Sequence, residues 1–202
     1  MTATNDIGHN SLKEKFLALA GAFARFVYQP PETADMAPMQ ALLSQGCNAN
    51  SGRLENSNTL LIEATKLGCI AMVELLLAHG AQAGLTNDDG QTALHVGAVH
   101  GRVEELRTIL ALDASGINRR CRMNRTPLDW AMAGGRTDTA SCLIEAGAVF
   151  HIEALHAKCS EDVGGSDLLW DQLQPALAKR AAMDLESDTV RRHPTVRASS
   201  RL

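Results

Sequence analysis

Apolar residues fall at helical spacing in several separate stretches of this 202-residue chain. The stripe Leu12, Phe16, Leu19, Phe23, Phe26 and Val27 predicts an N-terminal helix ended by Pro30-Pro31. Ser11 is placed to cap it, with Glu14 at the capping-box position. A short helix is expected from about Asp35 to Gln45. Ile70, Val73, Leu76 and Leu77 mark another, and Val103, Leu106, Ile109 and Leu110 one more. His151 to Cys159 reads as a helix, followed by a polar loop over residues 161–166. Leu168, Leu169, Trp170, Leu173, Leu177 and Ala181 predict a last one, with Pro175 as a kink or restart.

The stretches repeat in phase. Thr59-Leu60-Leu61-Ile62-Glu63-Ala64 aligns with Thr92-Ala93-Leu94-His95-Val96-Gly97 and with Thr126-Pro127-Leu128-Asp129-Trp130-Ala131. The threonines are 33 and then 34 residues apart, and Gly68, Gly101 and Gly135 each follow nine residues later. Two of the leucine-rich runs that come next end in Gly80-Ala81 and Gly147-Ala148. A partial earlier copy ends at Gly46, 34 residues before Gly80.

This period and pattern resemble the ankyrin repeat over roughly residues 34–150. The likeness to the family's T-P-L-H-x-A signature is closest at Thr92 to Gly97 and at Thr126 to Ala131. It is weaker at Thr59, where Leu60 and Ile62 replace Pro and His. The resemblance implies an all-α solenoid of paired antiparallel helices with finger-like turns, capped by extra helices at both ends.

Local chemistry agrees. Each Thr hydroxyl can accept a bond from a free amide in the first helical turn. Pro127 sits where a missing N–H costs nothing. Leu61, Leu94 and Leu128 face the core, and Ala64, Ala98 and Ala131 are small where helices approach closely. Gly68, Gly101 and Gly135 suit left-handed helix ends. Gly90 begins a finger turn with positive φ, and Ser57 and Asn124 occupy its place in the flanking copies. Ser11 to Asn50 is then an N-terminal capping unit with a degenerate first repeat, and residues 51–150 hold three repeats. Residues 151–186 form the C-terminal cap, residues 1–10 a flexible leader and residues 187–202 a disordered Arg/Ser tail.

Composition narrows the function. Aromatics are only 3 % of the chain, which favours a helical fold packed from Ala and Leu. The balance of 19 basic and 23 acidic side chains gives −4, no footprint for general nucleic-acid or membrane binding. No apolar run approaches the ~20 residues of a membrane helix, and none resembles a secretory signal. Five widely spaced cysteines, without C-x-x-C, fit a reducing cytoplasm.

No catalytic, cofactor-binding or metal-binding signature is present. His156 and Cys159 share a helix face, but His151 points elsewhere, and two ligands are too few for zinc. The resemblance implies for His95 a structural role, bonding backbone between repeats.

The resemblance also implies a protein partner, bound by finger tips and the concave first-helix surface. The corresponding first-helix positions are Glu63, Lys66, Leu67, Val96, Val99, His100, Trp130 and Ala133. Leu67, Val96, Val99 and Trp130 are apolar where solvent exposure would favour polar residues, which is the mark of a contact patch. Trp130 either centres that patch or packs under the C-terminal cap. Asp88 and its neighbours make one finger tip acidic. Arg119, Arg120, Arg122 and Arg125 make the next strongly basic. These arginines either pair with Asp88, Asp89 or Asp113, or meet an acidic protein partner, or bind nucleic acid together with the Arg tail. The lack of stacking aromatics on the finger speaks against single strands. Cys121, set among arginines, is expected to have a stabilised thiolate. The expected function is therefore a monomeric, non-enzymatic interaction module, an adaptor or inhibitor. A nucleic-acid-associated protein is the alternative.

Overall fold

A computed structural model describes residues 6–28, 35–50, 54–149 and 166–192, and everything structural below concerns those residues. All regular structure among them is helical. Helix α1 spans Asp6–Tyr28 and α2 spans Ala37–Ser44. Three helix pairs follow: α3 (Leu60–Leu67) with α4 (Ile70–Ala78), α5 (Ala93–His100) with α6 (Val103–Leu112), and α7 (Pro127–Ala133) with α8 (Thr137–Glu145). The last helix, α9, spans Ser166–Arg192.

The first helix of each pair starts at its threonine. Thr59 Oγ1 accepts from the Ile62 amide at 3.2 Å, and Thr126 Oγ1 from the Asp129 amide at 3.2 Å. Asp129 returns a bond, accepting from the Thr126 amide at 2.8 Å, so an Asp completes the box where the neighbouring repeat uses His. Gly68 and Gly101 end α3 and α5 in the left-handed region, at φ 78° and 70°. Two-residue connections then turn the chain back into α4 and α6.

Stacking gives two layers. α3, α5 and α7 pack in series as the inner layer, and α4, α6 and α8 as the outer one. Between them lies one continuous core that includes Leu61, Leu76, Leu94, Leu106, Leu128 and Leu143. Leu19 and Phe23 of α1, Met39 and Leu43 of α2, and Leu173 and Ala176 of α9 close its two ends. α1 pairs with α2, and α9 lies on α8.

Fingers join neighbouring repeats by main-chain bonds. The Asp88 amide donates to the Asn56 carbonyl at 3.3 Å, and the Arg122 amide to that of Asp89 at 2.9 Å. Ser57 and Asn124 hold the left-handed finger position at φ 54° and 57°.

Four expectations change. Helix α1 begins at Asp6, so Ser11 lies inside it rather than at its cap, and residues 6–10 of the expected leader are helical. α9 runs through Pro175 without ending, so of the expected kink or restart the restart does not occur. Proline forfeits one helical bond, but Leu173 and Ala176 on either side of it are buried. The same helix reaches Arg192, beyond the expected start of the tail. Finally, the residue in phase with Ala64 and Ala131 is Gly97 rather than Ala98. A Cβ on Gly97 would collide with Leu106 Cδ1 and stand 3.0 Å from Thr65 Cγ2. The expected helix at residues 151–159, the loop after it, and residues 1–5 and 193–202 lie outside the described residues.

Candidate interaction surface

Inner-layer side chains in phase with one another make rows across the concave face. Glu63, Val96 and Trp130 form the row nearest the fingers. Lys66, Val99 and Ala133 form the next, and Leu67 and His100 extend the last. Finger residues Asn58, Gln91 and Arg125 immediately precede the threonines and border the first row.

Arg125 ties the finger to the floor. Its guanidinium carbon lies 4.8 Å from the Trp130 ring centroid, a cation–π distance. Its carbonyl oxygen lies 3.1 Å from His95 Nε2. The Thr92 amide, which can only donate, lies 3.2 Å from His95 Nδ1. Nδ1 is therefore the acceptor, and Nε2 carries the hydrogen that binds Arg125. Burial holds the His95 pKa below its ordinary value, outweighing the bonds to backbone at Arg125 and Arg119 that favour the cation. His95 thus fastens two repeats as a neutral ring, in the structural role the resemblance implied.

The other finger arginines face solvent. Arg119 Nη1 donates to the Gly84 carbonyl at 3.1 Å and Arg120 Nη1 to that of Asn124 at 3.0 Å, while Arg122 is exposed. Among the described residues the ion pairs are Lys66–Glu63, Arg107–Glu104, Lys179–Glu145 and Arg180–Asp184, none of them on this finger. The expected pairing with acidic neighbours is not made. Asp89 accepts from Asn56 Nδ2 at 3.0 Å, and Asp113 accepts from the Ala83 and Ser115 amides. Among the described residues the finger guanidinium groups bond to carbonyls and make no ion pair.

Apolar positions differ from the expected continuous exposed patch. Leu67 is 41 % exposed, but Val96 is only 8 % exposed and belongs to the core. Val99 and Trp130 are half-buried, and His100 and Asp88 are exposed. Trp130 Nε1 is buried without a bonding partner of good geometry. Its indole N–H does lie against Cys121. Burial pushes the Cys121 thiol up, yet the Trp130 N–H and backbone amides on the finger outweigh this and leave it below its usual value.

A second set of cations lies at the far ends of the inner helices. Arg102 spreads over Gly68, where an added Cβ would stand 2.5 Å from its Nη1, and donates to the Lys66 carbonyl at 3.2 Å. Arg136 crosses Gly101 in the same way one repeat later. Although His100 is exposed, partial desolvation and then the charges of Arg102, Lys66 and Arg136 lower its pKa.

Sequence reasoning missed the contribution of α1. Phe23, Ala24 and Val27 wall a cleft of about 510 Å3 whose other side includes Glu63, Val96 and His100. The signal available was only the apolar stripe of α1, which has no counterpart in the repeats.

The family model for ankyrin repeats, three copies, matches residues 34–120 and 61–154. The chain belongs to the ankyrin-repeat family. It is 28 % identical over 134 residues to a transient receptor potential cation channel subfamily A member 1 homolog of Caenorhabditis elegans, covering 66 % of this chain and 11 % of that protein. It is 31 % identical over 110 residues to a putative ankyrin repeat protein of fowlpox virus, covering 52 % and 32 %. With the B-cell lymphoma 3 protein homolog of Mus musculus it shares 31 % over 87 residues, covering 43 % and 19 %. The chain thus spans a third or less of the length of these relatives. Ankyrin repeats generally mediate protein–protein interaction. Among the described residues no helix is long and apolar enough to cross a membrane, and no group of three or more His, Cys, Asp or Glu could hold a metal ion.

Proposed function

We propose that this ankyrin protein is a non-enzymatic adaptor or inhibitor that acts as a monomer. It binds a protein partner through the concave face and the third finger. The observation that carries this is Arg125 lying over Trp130 beside finger arginines that make no ion pair among the described residues. Aromatic and arginine side chains together dominate the energetics of protein interfaces. Arg119, Arg120 and Arg122 supply charge for an acidic patch. Val99, Leu67 and His100 extend the contact along the groove, and Asp88 bounds it at the acidic tip. Free Cys47, Cys69, Cys121 and Cys142 suit a cytoplasmic location.

The same arginines support nucleic-acid binding as a second reading, because backbone phosphates take unpaired guanidinium groups. That reading requires affinity to fall steeply as salt rises.

Site-specific photo-crosslinking in source cells tests the proposal. A photoreactive residue at Val99 should yield adducts of discrete protein mass. One at Leu112, exposed on the outer layer, should yield none. Adducts equally abundant at both positions, or none at Val99, would contradict it.

A further inference from the structure

Resting on the reading just given, we infer that the partner segment is an amphipathic α-helix with acidic flanks, laid along the C-terminal half of the concave groove.

Three observations lead there. First, the floor is apolar. Val99 and Trp130 are half-buried on α5 and α7, and Ala133 is small and exposed. Second, this floor has a cationic rim on each side. Arg125 stands at the finger end of α7, over Trp130. Arg136 follows the other end of α7 and reaches back over Gly101, next to His100 and Arg102. Third, the carboxylates of the inner helices are turned to partners within the array, Glu63 to a cation and Asp129 to a backbone amide. Glu63 accepts from Lys66 Nζ and Asn58 Nδ2 at 3.0 and 2.9 Å, and Asp129 from the Thr126 amide. The acidic tip of the second finger, Asp88-Asp89, confines the doubly positive stretch to the C-terminal half.

Size selects the helix. The main-chain positions of Arg125 and Arg136 flank α7, whose seven residues rise roughly 10 Å. An α-helix with its side chains is about 10–12 Å across. One lying across the inner helices would set an apolar stripe on Val99 and Trp130 and its two flanks against Arg125 and Arg136. A single extended strand offers only two faces. It would seat apolar residues on the floor and send the alternate side chains into solvent, leaving one or both rims without a partner.

Anisotropy with the full chain and three labelled probes tests this. The first is a peptide of about 18 residues with a Leu stripe and Glu on both flanks, long enough to cross two inner helices. The second has the same composition with two central prolines that forbid the helix. The third is a duplex DNA of random sequence. The helical peptide should bind at least about tenfold more tightly than the proline peptide. Arg125→Glu and Arg136→Glu should each weaken it about tenfold, and together about a hundredfold. Arg125→Gln and Arg136→Gln, with unchanged circular dichroism, should show the same order at smaller size. Equal binding of both peptides would overturn the helical occupant while leaving a protein-binding module standing. Binding of DNA alone would overturn both this inference and the reading on which it rests. No binding of the helical peptide, or no effect of either Arg136 substitution, overturns the inference.

Discussion

The Nε2 of His95 donates to the carbonyl oxygen of Arg125 at 3.1 Å, joining the second repeat to the finger of the third. The side chain of the same Arg125 lies over Trp130. A buried structural histidine therefore holds in place the backbone of a residue whose guanidinium forms part of the candidate surface.

This relationship has a pH signature. Burial holds His95 below its ordinary value of 6.5. As pH falls, the unfolded chain takes up the proton first and gains on the folded one. The stability associated with neutral His95 is fully present above pH 6.5 and is lost as pH falls toward the folded value. One histidine contributes a slope of at most about 1.4 kcal/mol per pH unit. Urea midpoints measured between about pH 7.5 and 5.5 should fall for the wild type and fall less for His95→Gln, which starts lower. Parallel slopes in the two proteins would contradict the assignment. His100, lowered by partial desolvation and by Arg102, shifts with the same sign in both and does not distinguish them.

Close packing at Gly97 makes a second prediction. A Cβ there collides with Leu106 Cδ1 between α5 and α6. Gly97→Ala should destabilise the array by about 1–3 kcal/mol, the usual cost of overpacking. Pairing it with Leu106→Ala should cost less than the sum of the two single changes, because the truncated side chain vacates the colliding volume. Simple additivity in denaturant titrations would argue that α5 and α6 are farther apart.

The repeat phase was legible because the turns demand particular residues. Threonine caps, left-handed glycines and the Ser57 and Asn124 substitutes are local chemistry, and each appears at its expected backbone conformation. Depth was less legible. Val96 shares a phase with the partly accessible Glu63 and Trp130, yet it is buried. Phase says which way a side chain points, whereas its neighbours across the groove decide how much water reaches it. Ala98 and Gly97 are adjacent, small and both buried, so composition alone did not separate the spacer from its neighbour. The finger arginines announced their charge, but their bonds to the Gly84 and Asn124 carbonyls depend on the fold of the fingers. The wall contributed by α1 precedes the repeats and has no periodic counterpart to predict it.

The central claim is that the concave face around Arg125 and Trp130 holds a protein partner. An affinity pull-down from source-cell lysate, with and without nuclease, tests it most directly when wild type is compared with Trp130→Ala/Arg122→Glu. One stoichiometric protein, retained after nuclease by the wild type and lost by the variant, is the predicted result. Recovery of that protein by wild type and variant alike, or only without nuclease, would contradict it.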